Sequence, residues 1–125
     1  MSSSGLTPLT FHILLSLVDQ DRHGYGIIKE IEERAGAGTA PSTGALYLAL
    51  QRLEQERWVE ESPVRPSPEH DDARRRYYRL TAVGRAAARA EAQRLASLVG
   101  MALDKRLVAA AVRERLRQAG SGRAR

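Results

Sequence analysis

Cysteine is absent from this chain of 125 residues, which excludes disulfides, thiolate metal sites and a cysteine nucleophile. The same absence fits a reducing compartment. No stretch approaches the roughly 20 apolar residues that a membrane span requires. The opening Met1-Ser2-Ser3-Ser4-Gly5 carries no basic residue, and His12 and Ser16 interrupt the apolar run from Phe11 to Val18. A secretory leader is therefore not expected, and the expected compartment is the cytoplasm. Catalytic patterns are missing as well. There is no serine motif with a base at a known spacing and no glycine loop for phosphate, so an enzyme is not expected. Asp19-x-Asp21-x-His23 and His70-Asp71-Asp72 gather acids and histidine, yet neither has the spacing of a recurrent metal site. No metal, cofactor or membrane partner is expected.

What the chain does have is positive charge, a net +5. That makes nucleic acid the first partner to consider and an acidic membrane surface the second. The charge is unevenly placed. Between Lys105 and Arg125 seven Lys and Arg face one acid, Glu114, and from Arg65 to Arg79 five Arg accompany Glu69, Asp71 and Asp72.

The length suits one domain with an ordinary core. Thr7-Pro8 reads as a helix start, with threonine as cap and proline at the first helical position. Leu9, Phe11, Ile13, Leu14, Leu15, Leu17 and Val18 then cover most of the circumference, so this helix is expected to be buried on several sides. A second helix from about Gly24 to Ala35 turns Ile27, Ile28, Ile31 and Ala35 inward, with Lys29, Glu30, Glu32 and Glu33 wet. A third, over 42–56, is capped by Ser42 or Thr39. Its Leu46, Leu50 and Leu53 point inward, leaving Gly44, Leu48, Gln51 and Gln55 on the opposite face with Tyr47 and Arg52 flanking. Trp58–Ser62 and Tyr77–Thr81 alternate like strands. Tyr78 and Leu80 share one face and Tyr77 and Arg79 the other, and Pro63, Pro66 and Pro68 keep the connection out of the sheet.

Thr81 caps a final helix, with Gly100 as the place where it would bend or split. Leu95, Leu98, Val99, Ala102, Leu103 and Leu107 begin an apolar stripe that continues through Val108, Ala111, Val112 and Leu116. The stripe is too long to be covered by its own domain, and a second copy of the chain is its simplest partner. The expected class is mainly α (α+β): a winged helix-turn-helix over 6–81, a long C-terminal dimerisation helix over 82–118, and a flexible basic tail over 119–125.

Three segments sharpen this. His23-Gly24-Tyr25-Gly26-Ile27, Ser42-x-Gly44-Ala45-Leu46-Tyr47-x-x-Leu50-x-x-Leu53-Glu54 and Arg76-Tyr77-Tyr78-x-Leu80-Thr81-x-x-Gly84 occur in this order. Together they resemble the PadR-like transcriptional regulators over roughly residues 6 to 95. The resemblance implies a homodimeric repressor whose third helix enters the major groove, whose wing meets the backbone or minor groove and whose last helix forms the dimer. The chain departs from the family at Arg57, where glycine is usual. Arginine there must avoid the left-handed backbone or accept strain. It also has no aromatic residue after Tyr78, so the stacking of flat effectors on a terminal helix, known in some members, is not supported, and any small-molecule effector is unknown.

The expected DNA-binding residues are Tyr25, Lys29, Ser42, Thr43, Tyr47, Gln51, Arg52, Arg74, Arg75 and Arg76. Tyr47 can donate to a phosphate or plug the gap to the second helix. Tyr25 and Lys29 can reach the backbone across the groove, with helix packing the other role for Tyr25. Ser42 and Thr43 stand where helix N–H groups face anions, whether or not they also cap. Gln51 and Arg52 can reach base edges or phosphates, with a solvated face the other reading for Arg52. Alternation prevents all three wing arginines from facing DNA, and one of them can pair with Asp71 or Asp72. His23 is expected to fix the turn before the second helix. The competing class is a winged-helix protein-interaction module whose basic tail binds RNA or an acidic surface.

Overall fold

The structure is a computed structural model that describes residues 6–63 and 75–123. The chain divides into two compact units, Met1–Glu91 and Ala92–Arg125.

In the first unit, α1 (Pro8–Ser16) starts as its sequence predicts. The Thr7 hydroxyl accepts from the Thr10 amide and proline occupies the first turn. Helix α2 (Gly24–Ala35) is capped by His23, and a single 3-10 turn (Ala37–Thr39) leads to α3 (Thr43–Gln55). Ile13, Leu14, Leu17, Ile27, Ile31, Leu46, Leu50, Leu53, Val59 and Tyr78 form one apolar cluster. Ala35 does not join the inner face of α2 and is exposed. The helix ends there, because Gly36 turns away at φ 97°, so no further turn covers Ala35.

The sheet has one strand more than the two-stranded wing expected. Short β1 (Arg22–His23) pairs with β3 (Tyr77–Leu80), which also pairs with β2 (Val59–Glu61), all antiparallel in the order β1-β3-β2. Arg22 lies opposite Tyr78 and His23 opposite Tyr77. The extra strand overrides the simple alternation of β3, since Tyr77 and Tyr78 are both buried. The His23 ring covers Tyr77 edge-on, at 5.1 Å between centroids. The Asp21 carboxylate accepts from the Ser62 hydroxyl at 2.5 Å, and so ties the turn before β1 to the end of β2. The proline-rich and acidic part of the wing connection lies outside the described residues, and Arg74 with it.

Arg57 takes the strained option. Its φ is 64°, and the hydrogen bonds Arg57 N to Glu54 O and Trp58 N to Leu53 O, both 3.0 Å, close α3 with a Schellman turn. The departing chain is then locked to the next helix. The Thr81 hydroxyl donates to the Arg57 carbonyl at 2.6 Å and accepts from the Gly84 amide at 2.9 Å. Gly84 packs so closely that an added Cβ would overlap the Trp58 carbonyl.

The long C-terminal helix is two helices, α4 (Ala82–Asp104) and α5 (Ala110–Arg123). Gly100 lies inside α4. The break comes later, where Arg106 at φ 61° forms a second Schellman turn, with Arg106 N bonded to Leu103 O and Leu107 N to Ala102 O. Leu107, expected on a continuing stripe, is therefore in the connection and 77% exposed. Helical backbone extends to Arg123, into the stretch expected to be a flexible tail, because adding residues to an existing helix costs far less than starting one. In the second unit Leu98, Val99, Met101 and Leu116 are exposed, while Leu95, Ala102 and Leu103 are half-buried.

Candidate nucleic-acid interface

Helix α3 supplies the first element of the site. Ser42 caps it, accepting from the Ala45 amide at 3.1 Å, whereas Thr39 donates to the Ala35 carbonyl. With Leu46, Leu50 and Leu53 buried, about 100° per residue places Gly44, Leu48, Gln51 and Gln55 directly opposite. Thr43, Gly44, Leu48, Gln51, Arg52 and Gln55 are all exposed. Tyr47 lies on one flank of that face and Arg52 on the other.

The Tyr47 flank meets the start of α2 and the neck of the wing. His23, Gly24, Tyr25, Tyr47, Arg75, Arg76 and Tyr78 line a cleft of about 270 Å³. A Cβ on Gly24 would overlap the Tyr47 hydroxyl, so glycine here is what lets the phenol lie against the first turn of α2. Tyr47 fills the gap to α2 and still stays 44% exposed, so its two expected roles are compatible. Tyr25 is 59% exposed. Its ring lies parallel to that of His23 at 6.4 Å, and the Lys29 ammonium stands 5.9 Å from its centroid.

The wing arginines separate by what they touch. Arg76 is engaged internally: it reaches Glu54 and Glu61, each at 3.3 Å, and lies over the Tyr78 ring at 5.5 Å. Tyr78, Glu54 and Glu61 hold its guanidinium above its usual pKa range against the opposing effect of burial. Burial also pushes the Tyr78 phenol up, and Arg76 draws it part of the way back. Arg79 pairs with Glu60 across the strands at 2.8 Å. Arg75 is exposed and places Nη1 3.0 Å from His23 Nε2.

That last contact is weak for a chemical reason. His23 Nδ1 accepts from the Gly26 amide at 3.0 Å as the cap of α2. A neutral imidazole accepts at one nitrogen only, so with Nδ1 committed the proton sits on Nε2 and faces a guanidinium that can only donate. Arg75 is thus positioned at the cleft without a strong internal partner on His23.

The expected residues Tyr25, Tyr47, Arg75 and Arg76 are brought together. Lys29 lies one turn along α2, Ser42 and Thr43 at the start of α3, Gln51 on its outer face and Arg52 on its far flank. His23 lines the same cleft, although its sequence signal pointed only to a turn. The Asp19, Asp21 and His23 string is dispersed: Asp19 faces Arg22 at 3.5 Å, Asp21 binds Ser62 and His23 caps α2.

Helices α2 and α3 with an antiparallel wing beside them define a winged-helix protein of the helix-turn-helix type. Residues 13–90 match the family described as the transcriptional regulator PadR-like family, and the chain belongs to it. A PadR family transcription regulator from Clostridium difficile is 26% identical, with 78% of this chain and 97% of that chain covered at a TM-score of 0.64. PadR of Bacillus subtilis, solved in complex with operator DNA, is 22% identical and shares the fold at a TM-score of 0.55, over 66% of this chain and 45% of that chain. An uncharacterised protein of Lysinibacillus sphaericus is 35% identical over 74 residues, 59% of this chain and 65% of that protein. The match therefore spans slightly less than two thirds of that relative. Among the described residues no helix is long and apolar enough to cross a membrane.

Proposed function

We propose that this chain is a homodimeric repressor that binds a roughly palindromic DNA operator. The observation that carries this reading is the convergence of the α2 N-terminus, Tyr47 and Arg75 around one cleft beside the exposed face of α3. A phosphate in that cleft would take hydrogen bonds from the Tyr47 hydroxyl and Arg75 and favour the positive end of α2. Arg52, on the other flank, would reach the opposite strand, so that the outer face of α3 spans the major groove between two backbones. Arg76 in this reading is an anchor that joins the wing to Glu54 of α3. Tyr25, Lys29, Ser42 and Thr43 are candidates for further backbone contacts.

The second copy is invoked to cover Leu95, Leu98, Val99, Ala102 and Leu103 on α4, and Leu107 just past it. Two copies would present their α3 helices about one DNA turn, ~34 Å, apart. Selection of bound duplexes from a random pool, with sedimentation of the complex, tests both parts. The expected result is a two-fold-related site bound by two chains. Deleting 120–125 should leave that binding in place, and neutralising Arg75 should weaken it. The reverse pattern would favour a tail that binds nucleic acid and a fold that serves as scaffold.

A further inference from the structure

Leu48 stands in the middle of the exposed face of α3 and is itself 67% exposed. A lone surface leucine is ordinary, but the surroundings of this one are particular. Gly44 precedes it by one turn, and a Cβ added there would meet nothing within 4 Å. The backbone is therefore open to close approach just where Leu48 projects. Gln51 follows on the same face, and the polar flanks, Tyr47 and Arg52, lie on either side.

We propose that Leu48 reads the 5-methyl group of a thymine, with Gln51 reading an adjacent adenine edge, so that each operator half-site carries an A·T element under the centre of α3. This rests on the DNA-binding reading above. The isobutyl group of Leu48 has no donor or acceptor. Placed against G·C, it would strip water from N7, O6 or N4 and give nothing in return. Placed against thymine, it covers the one apolar group in the major groove, and both partners lose exposed apolar area. Gln51, one turn further, has an amide that can both donate and accept, which matches N7 and N6 of adenine. Arg52 borders this face four residues past Leu48, on the side away from Tyr47, so a guanine next to the A·T element is compatible with the proposal.

The test uses the full chain and a duplex recovered by selection. Each thymine of the half-site is replaced in turn by deoxyuridine, which removes only the methyl. The expected result is one position per half-site where the wild type loses about fourfold, the factor that follows from one buried methyl-sized group. Leu48→Ala and Leu48→Gln should bind the thymine duplex more weakly and show no difference between thymine and deoxyuridine at that position. Gln51→Ala should keep the methyl effect and lose preference at the neighbouring pair. Selective binding with no methyl effect at any position overturns the Leu48 assignment and leaves DNA binding intact. A methyl effect that persists in both Leu48 variants overturns it too. Failure to recover any selected duplex removes the DNA-binding reading itself, and this proposal with it.

Discussion

Replacing Arg75 by alanine isolates the electrostatic part of the proposed interface. The guanidinium is exposed, and it touches a histidine nitrogen whose ring already caps α2 through its other nitrogen. Little internal energy is lost on its removal, so the folded state should be almost unchanged. Binding should change much more. Each phosphate neutralised on duplex DNA contributes a slope of about 0.9 to the dependence of log affinity on log salt. Two copies on one operator lose two contacts, and the slope should become shallower by roughly 1.8. At about 1 kcal/mol for each exposed charge contact, affinity near physiological salt should fall about 30-fold. Fluorescence anisotropy of a labelled duplex over a series of KCl concentrations measures both quantities, and circular dichroism and sedimentation confirm the fold and assembly. Arg76→Ala is the contrast. It breaks contacts to Glu54 and Glu61, so it should lower stability by up to about 1 kcal/mol with a smaller change in slope. An Arg75 variant that keeps the wild-type slope and affinity while folded would refute the assignment of a phosphate to this cleft.

Four further outcomes concern the scaffold. Arg57→Gly should raise stability by about 0.5–1 kcal/mol, because φ 64° costs an L-residue about 1–2 kcal/mol and glycine returns part of that gain as chain entropy; a lower urea midpoint would count against the Schellman turn as drawn. Gly84→Ala should cost about 2–3 kcal/mol, since its Cβ would overlap the Trp58 carbonyl and overpacking carries a penalty of that order. Gly100→Ala, in open space inside α4, should instead stabilise by about 0.5–1 kcal/mol; equal effects at the two glycines would contradict the packing. The raised pKa of Tyr78 favours the folded state while the phenol is neutral. That stabilisation is complete below the unfolded value near 10 and is lost as pH rises through the higher folded value. Urea titrations across this alkaline range should show a decline in the wild type and a shallower one in Tyr78→Phe, and identical slopes would rule out the burial effect.

Much of the helical core was legible because a period of 3.6 leaves a simple trace. Leu46, Leu50 and Leu53 identify the inner side of α3, and its outer side follows by exclusion. The cap at Ser42 and the break at Arg57 were legible only as alternatives. Both depend on local hydrogen bonds that several residues could make. Strand β1 left no trace, since two residues, Arg22 and His23, are too short for alternation to register. That omission hid the burial of Tyr77 and the place of His23 beside Arg75. Gly100 is the place where the sequence puts a bend or split, because glycine is the usual left-handed residue, yet it lies inside α4. The turn fell on Arg106, where the hydrogen bonds of the helix end support the conformation. Which wing arginine is internally paired was also hidden, since the partners Glu54 and Glu61 are distant in sequence from Arg76.

The short strand explains why the cleft is a defined place and not a chance gathering of side chains. Without β1 the wing would hang from the ends of α3 and α4, and its neck could move relative to α2. The ladder from Arg22 and His23 to Tyr78 and Tyr77 joins the residue that caps α2 directly to the strand that follows Arg75. Asp21 and Ser62 add a second tie from the same turn, and Arg76 with Glu54 a third, from the wing to α3. These contacts come from separate elements and differ in kind, so loss of one leaves the other two to hold the geometry. Each exposed ion pair is weak. Their combined effect is positional: they place the Arg75 guanidinium, the Tyr47 hydroxyl and the first turn of α2 at one edge of the face that presents Leu48 and Gln51. In the proposed reading, the contacts that would position DNA and those that would read its sequence are fixed to one frame, as sequence-selective binding requires.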